Sequence, residues 1–298
     1  MMVKKILVLG GTGMLGNTVF RLLSTHQQFQ VFATIRNSQD LRFFADDLKS
    51  KVIPHVDVLN NEALVDVFAK TRPDVVINCI GLIKQLSSAK DPLTTLPVNA
   101  MLPHRLAKLC ALSNARLIHI STDCVFSGNK GMYNETDLSD AEDLYGKSKF
   151  IGELHDLAHA ITLRTSIIGH ELNSNYALVD WFLSQQGSVK GYKKAIFSGL
   201  PTVELARVIA EFVIPNERLS GLYHVSVEPI DKFSLLSLVA ETYEKVIDIM
   251  PDEQLCIDRS LDSTRFKEAS GYKPPSWPDL ILRMKTFNSF NLDTTSHV

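Results

Sequence analysis

The sequence predicts a doubly wound α/β protein: a Rossmann-type parallel sheet followed by a smaller C-terminal substrate-binding α/β region. Three observations carry this. Short apolar runs alternate with helical stretches over more than the first half of the chain. Runs such as Lys4 to Leu9 (KKILVL) are apolar on consecutive residues, as in strands buried on both faces. The first run also ends in glycines that open a helix.

In chain order, the strand of Lys4 to Leu9 leads into a helix from about Met14 to Ser24. Strands are expected at Gln30 to Ile35 and around Val52 to Val56, then a helix from Glu62 to Lys70 and a strand from Asp74 to Ile80. Leu93 to Leu112 reads as one long helix that tolerates Pro97 and Pro103 only near a start or kink. Arg116 to Ile120 is a strand, Asp143 to His159 a helix, and Ile161 to Arg164 a further strand. Such alternation implies right-handed crossovers in a parallel sheet. After Gly169 the pattern loosens. A helix bearing Trp181 lies within Glu171 to Gly187, and an amphipathic helix opened by Thr202 runs to Ile214. A strand follows at Gly221 to Val227, a helix at Phe233 to Ile247, and a polar, frayed tail from Asn288. Residues 1–168 are thus expected as the dinucleotide-binding domain, with 201–227 returning to it. Residues 169–200 and 228–290 would form the substrate-binding region, and 291–298 a flexible tail.

With 298 residues, 45% of them hydrophobic, the chain has ample core for this plan. Its 31 basic and 33 acidic residues give a net charge of −2, which points to neither nucleic acid nor a membrane surface. No apolar run is long enough to span a bilayer. Cys79, Cys110, Cys124 and Cys256 are scattered without a C-x-x-C pair, as in reduced cytoplasmic thiols. A cytoplasmic location is therefore expected.

Gly10-Gly11-Thr12-Gly13-Met14-Leu15-Gly16 lies between the first strand and first helix. There glycines allow a tight turn and close approach to a pyrophosphate, and the helix start offers unpaired N–H groups and a positive dipole end. The spacing is G-x-x-G-x-x-G. At the end of the second strand, where NAD binders often carry an acid, stands Arg36. A guanidinium there suits a 2′-phosphate, so NADP(H) is expected and NAD(H) stays open; the plainer reading is a surface arginine. Asp57 is placed either to meet the adenine amino group or to make a turn.

Tyr145 and Lys149 are four residues apart and share a helix face. A free phenol has a pKa of about 10 and is a poor proton relay near neutrality. A nearby ammonium would lower it, letting tyrosine protonate a carbonyl oxygen as hydride reaches carbon. The pair alone is a weak signal. Ser121-Thr122-Asp123, at the carboxyl end of the Arg116 to Ile120 strand, strengthens it, because ligands of open α/β sheets bind there. A Thr122 hydroxyl can hold the same carbonyl.

With these residues in place, the chain resembles an extended short-chain dehydrogenase/reductase, and more narrowly the dTDP-4-dehydrorhamnose reductase family. The matching segments are Gly10 to Gly16, Asn78 to Gly81, Val98-Asn99-Ala100, Ile120 to Gly128, Tyr145 to Lys149 with Gly152-Glu153, Leu163 to Ser166 and Pro201-Thr202. They cover the first two thirds well and the C-terminal third loosely. The resemblance implies Thr122, Tyr145 and Lys149 as the catalytic set. It implies Gly10, Thr12, Gly13, Met14, Leu15, Arg36, Asp57, Val58, Ile80, Gly81, Asn99 and Lys149 along the cofactor groove. Thr122, Asp123, Val125, Phe126, Asn175 and Trp181 would meet substrate; a core or interface role for Trp181 stands beside this. The implied reaction is NAD(P)H-dependent reduction of the 4-keto group of a nucleotide-linked 4-keto-6-deoxysugar, in polysaccharide precursor synthesis. Relatives often dimerise through helices matching Leu93 to Leu112 and Asp143 to His159.

Related 4,6-dehydratases carry Asp-Glu after the threonine. Here Cys124 follows Asp123, which disfavours dehydration and makes Cys124 a packing residue rather than a nucleophile. Two alternatives remain: an NAD-dependent sugar-nucleotide epimerase using the same residues, and a non-catalytic NADP-binding subunit, since the regulatory β subunit of methionine adenosyltransferase resembles the same family. His155 and His159 are four apart, but no third ligand follows and no metal is expected. His119, within a strand, reads as a satisfied core histidine. For Lys190, Lys193 and Lys194 a solvated loop is the expectation, with contact to a substrate diphosphate as the alternative.

Overall fold

Apolar side chains project from both faces of strand β1 (Lys4–Leu9): Ile6 and Val8 enter one core cluster, Leu7 and Leu9 another. This demands helices on both sides of the sheet. The computed structural model describes residues 3–83 and 90–295, with side chains as far as Asn288. Beside β1 lie β2 (Phe29–Thr34), β3 (Val52–Ile53), β4 (Val75–Asn78), β5 (Arg116–Thr122) and β6 (Ala160–Thr165). After β7 (Ile167–Ile168), β8 (Ser188–Tyr192), β9 (Ala195–Phe197) and β10 (Leu200–Pro201), the sheet is completed by β11 (Gly221–His224). Its order is β11-β6-β5-β4-β1-β2-β3, and every pairing is parallel. The order reverses between β1 and β4, which opens a crevice at their carboxyl ends.

The helices are α1 (Met14–Ser24), α2 (Asp46–Lys49), α3 (Asn61–Thr71), α4 (Pro92–Thr95), α5 (Leu102–Leu112), α6 (Leu144–Ile151), α7 (Leu178–Ser184), α8 (Thr202–Val208), α9 (Lys232–Thr242), α10 (Thr264–Ser270) and α11 (Trp277–Thr295). Helices α1, α8 and α11 share one face through Val19, Phe20, Leu205 and Leu280; α3 and α5 cover the other through Leu64, Phe68, Leu102 and Leu106. The C-terminal region adds short strands. Antiparallel β12 (Ile230–Asp231) and parallel β14 (Ile257–Asp258) flank β9, β8 pairs with β13 (Asp248–Asp252), and β7 pairs with β10.

Several boundaries differ from the sequence expectation, each for a local reason. The strand expected to Val56 stops at Ile53, because His55 turns the chain with φ 62. The single helix expected from Leu93 to Leu112 is α4, a π-helical turn (Leu96–Met101) and α5. Pro97 and Pro103 sit in the first turns of the second and third pieces, where a missing N–H costs least. The helix expected to His159 ends at Ile151, so His155 and His159 are not on a helix. A Cβ on the capping Gly152 would lie 2.1 Å from the Asn99 carbonyl oxygen. Thr202 is the first helical residue of α8 rather than its cap, and its hydroxyl meets Thr18 at 3.2 Å. Glu204 is buried against Arg207, Arg283 and Tyr272. Helix α9 starts at Lys232, capped by Asp231, and ends at Thr242. The backbone expected to fray from Asn288 stays helical to Thr295; 296–298 lie outside the described residues. Lys190 lies in strand β8 rather than in a loop and pairs with Asp252, while Lys193 and Lys194 occupy the turn after it, over the Phe233 ring and paired with Glu253; all three are exposed, as expected of a solvated segment.

Candidate active site

The glycine turn runs from the end of β1 to the start of α1 at the switch point. Gly13 is the N-cap of α1 and offers no side-chain cap, and the first turn holds no acid. Its leading N–H groups therefore keep their capacity for an anion. The turn is tight enough that a Cβ on Gly16 would lie 2.0 Å from the Gly10 carbonyl oxygen. A Cβ on Gly13 would meet only the Gly10 oxygen, at 3.4 Å, so its outer side is open. The residues present thus fit a dinucleotide pyrophosphate. Met14 and Thr12 are half-buried around the turn, while Leu15 is buried beneath it.

Other expected groove residues line the same edge. Arg36 is exposed just past β2. Asp57 makes a turn, accepting Leu59 N–H at 3.0 Å, and leaves the capping of α3 to Asn60. Val58 is buried in the core. Ile80 packs beside Gly10, and its N–H donates to Asn78 Oδ1 at 3.1 Å. Asn99, on the π turn, clamps the next loop: Leu82 N–H donates to its Oδ1 at 2.9 Å, and its Nδ2 donates to Leu82 O and to Ser148 Oγ. Gly81 faces both Asn99 and Lys149.

Thr122 ends β5. Its hydroxyl donates to Asp123 Oδ1 at 3.1 Å and accepts Cys124 N–H at 3.2 Å. It also faces the Tyr145 phenol closely enough to draw the phenol's pKa down. Helix α6, capped by the Asp143 carboxylate on Gly146 N–H, carries Tyr145 and Lys149 against this strand end. Lys149 is buried, and its Nζ donates to the Ile120 carbonyl at 2.7 Å. Burial pulls its ammonium down to about 8, opposed first by the Glu153 carboxylate and then by the neighbouring Cys79 sulfur. Burial pushes the Tyr145 phenol above its usual range, and the charges of Cys124, Asp123 and Asp143 add to this. The expected lowering of Tyr145 by Lys149 is thus not what the protein alone provides; Thr122 supplies the opposing pull. Cys124 is pushed up to about 12 by burial and by Asp123, which fits packing rather than nucleophilic duty.

Asp123 is buried and its carboxyl is raised by desolvation, against the pull of Arg259 and of hydrogen bonds from Thr122, Cys124 and Ser166. Lys232 also faces it. The sequence reading missed Arg259 and Lys232, which come from the C-terminal third. No local motif marks them, and only the fold brings them to Asp123. Arg259 is seated by its Nε donating to the Phe126 carbonyl at 2.7 Å. The Val125 and Phe126 side chains are 0% exposed, packed with Tyr133 and Leu261, and Phe126 stacks on Tyr133 at 4.1 Å. This corrects the expectation that these side chains meet substrate: they form the wall behind the site. Asn175 is exposed in the loop before α7. Trp181 on α7 is 37% exposed, which removes the core reading.

His119 is wholly buried. Its Nδ1 meets Asn78 Nδ2 at 3.1 Å, but Nε2 has no partner among the described residues, so it is satisfied at one nitrogen only. Burial, Lys149 and His104 hold its pKa well below the usual value. Among the described residues no cluster of three or more His, Cys, Asp or Glu is arranged to hold a metal, and no helix is long and apolar enough to cross a membrane.

A switch-point crevice, a glycine turn and a serine-threonine strand end facing a helix with tyrosine and lysine define the Rossmann-fold architecture of oxidoreductases. Within that class the chain belongs to the family described as the RmlD substrate binding domain, which it matches over residues 4–251. It is 26% identical to a dTDP-4-dehydrorhamnose reductase from Aggregatibacter actinomycetemcomitans over 308 aligned residues, covering 95% of this chain and 99% of that protein. It is also 26% identical to methionine adenosyltransferase 2 subunit beta from Danio rerio, over 80% of this chain and 74% of that one. The crystal structure of a dTDP-4-dehydrorhamnose reductase from Bacillus anthracis in complex with NADP superposes with a TM-score of 0.78 at 21% identity, covering 96% of this chain and 99% of that one.

Proposed function

We propose that the protein is an NAD(P)H-dependent reductase of the 4-keto group of a nucleotide-linked 4-keto-6-deoxysugar. The observation that carries this is the convergence of Thr122, Tyr145 and Lys149 at the carboxyl end of β5, beside an uncapped glycine turn. Bound NAD(P)H would supply the hydride. Thr122 and Tyr145 hold the carbonyl oxygen, and Tyr145 gives it a proton. Lys149, fixed at Ile120, contributes its charge and reaches the nicotinamide ribose. Cys124, an inert thiol where dehydratases carry an acid, supports reduction over elimination. Arg36 supports NADP(H) over NAD(H), and the Bacillus anthracis relative is crystallised with NADP.

The test is incubation with NADPH and dTDP-, UDP-, GDP- or CDP-linked 4-keto-6-deoxysugars, read by mass spectrometry. A gain of two hydrogens on one of them supports the reading, and no gain on any overturns it. The likeness to a methionine adenosyltransferase subunit favours a second reading, a non-catalytic partner; co-purification with another enzyme and no NADPH oxidation would support that instead. A homodimer through α4, the π turn, α5 and α6 fits the exposed Leu93, Met101, Leu112, Phe150 and Ile151 on those elements. Light scattering of the wild type and of Ile151→Glu tests it.

A further inference from the structure

Resting on the reductase reading, we propose that Glu153 is a positioning residue of the reaction centre: its carboxylate, clamped beside β5, is the counter-charge that keeps Lys149 an ammonium in its buried seat.

The clamp is complete. Ser121 Oγ donates to Glu153 Oε1 at 2.6 Å, Arg164 Nε to the same oxygen at 2.7 Å, and Arg164 Nη2 to Oε2 at 2.6 Å. The Glu153 side chain is 0% exposed and that of Arg164 2%. Arg164 is itself held, with Nη1 against His224 Nε2 at 3.2 Å and its guanidinium over the Phe126 ring. Ser121 follows Ile120, whose carbonyl takes Lys149 Nζ. Acid and ammonium therefore hang from adjacent residues of one strand. Gly152 ends α6 one residue before Glu153, which turns the chain so that the acid faces β5 and β6 instead of continuing along the helix.

A buried ion pair is weak as a stabiliser, because desolvation offsets its attraction. A pair this buried, one strand residue from the reaction centre, has an electrostatic use. The groups facing Lys149 are Glu153 after α6, Cys79 after β4 and His119 on β5. Glu153 is the largest charge opposing the burial that lowers it. Cys79, pushed up to about 12, is a neutral thiol near neutrality, and His119 is neutral. Glu153 thus carries the balance. Besides Arg164, its carboxylate faces only the His155 Nε2, at 3.6 Å, among the ion pairs of the described residues.

The test is the titration of Lys149 in the full chain without ligand, read by NMR of Cε-labelled lysine and assigned with Lys149→Met. Glu153→Gln should move the Lys149 midpoint down by about one pH unit or more, and the alkaline limb of kcat with it, at little change in KM. Glu153→Asp should restore part of both. Since Glu153→Gln strands Arg164, the neutral pair Glu153→Gln/Arg164→Met keeps the test open if the single variant fails to fold, and should show a downward shift that is smaller than that of Glu153→Gln because the Arg164 charge is gone as well. An unchanged Lys149 midpoint in a folded variant sinks the proposal and leaves the reductase reading standing. A shifted midpoint in a protein that reduces none of the keto sugars would instead remove the reaction Glu153 is said to serve.

Discussion

The sheet half and the C-terminal region approach the reacting centre in opposite ways. From β5, α6 and the segment just after α6 come side chains that are buried and individually pinned: Thr122 by Cys124 N–H, Lys149 by Ile120 O, Glu153 by Arg164 and Ser121. From the C-terminal region come half-buried or exposed groups on short strands, short helices and loops: Arg259, Lys232, Asn175 and Trp181. On the proposed reductase reading, the difference would give the chemistry to the rigid sheet and the choice of substrate to the region where less is fixed.

If that division is right, the largest loss comes from the sheet side. Tyr145→Phe should lower kcat about 10² to 10⁴-fold while NADPH still binds, as read by steady-state kinetics and by nucleotide fluorescence. Full turnover in that variant would break the division at its centre. On the other side, Arg259→Met should raise KM for the nucleotide sugar about tenfold with kcat nearly kept. If kcat falls instead, Arg259 belongs to the chemistry and the two regions are not separate in role. Arg36→Ala should weaken NADPH about tenfold and leave NADH alone, as titration of each cofactor will show.

The smallest effect is on stability. Lys149 is lowered by burial to about 8 from the ordinary lysine value of about 10.5. The folded state therefore binds fewer protons than the unfolded chain between these pH values. The sign follows: the charged, buried lysine costs stability at neutral pH, and the cost is relieved as pH rises from about 8 to about 10.5. Lys149→Met should raise Tm at pH 7 by a few degrees, about what 1 kcal/mol gives a chain of this size, and the gain should shrink at pH 10. A lower Tm at pH 7 would show that the Ile120 contact outweighs the charge.

The same division explains what was legible in the sequence. Helix α1 is found where the pattern places it, because Val19, Phe20 and Leu23 repeat on a face that must cover the sheet. The sheet order follows from alternation plus handedness. Motif residues such as Thr122 and Tyr145 could be named because their neighbours in sequence are also their neighbours in space. Arg259 meets Asp123 across more than 130 residues, and nothing local marks it. The early end of α6 was missed because Gly152 is required by a contact with the backbone of another helix. Val125 and Phe126 were misplaced for a related reason: adjacency to Thr122 says nothing about which side chains turn inward once the strand ends in a 3-10 turn.

The contact of Gly152 with Asn99 has a wider consequence. Main chain seats on main chain there, so at the end of α6 no side chain stands between the helix and the π turn to take up a change in their spacing. On the reductase reading, descendants of this scaffold could rewrite the surface of the C-terminal region, and with it the sugar accepted, without retuning the distance from Tyr145 to a bound nicotinamide. The same seat makes that distance brittle: a single methyl group at position 152 would alter it for every substrate at once.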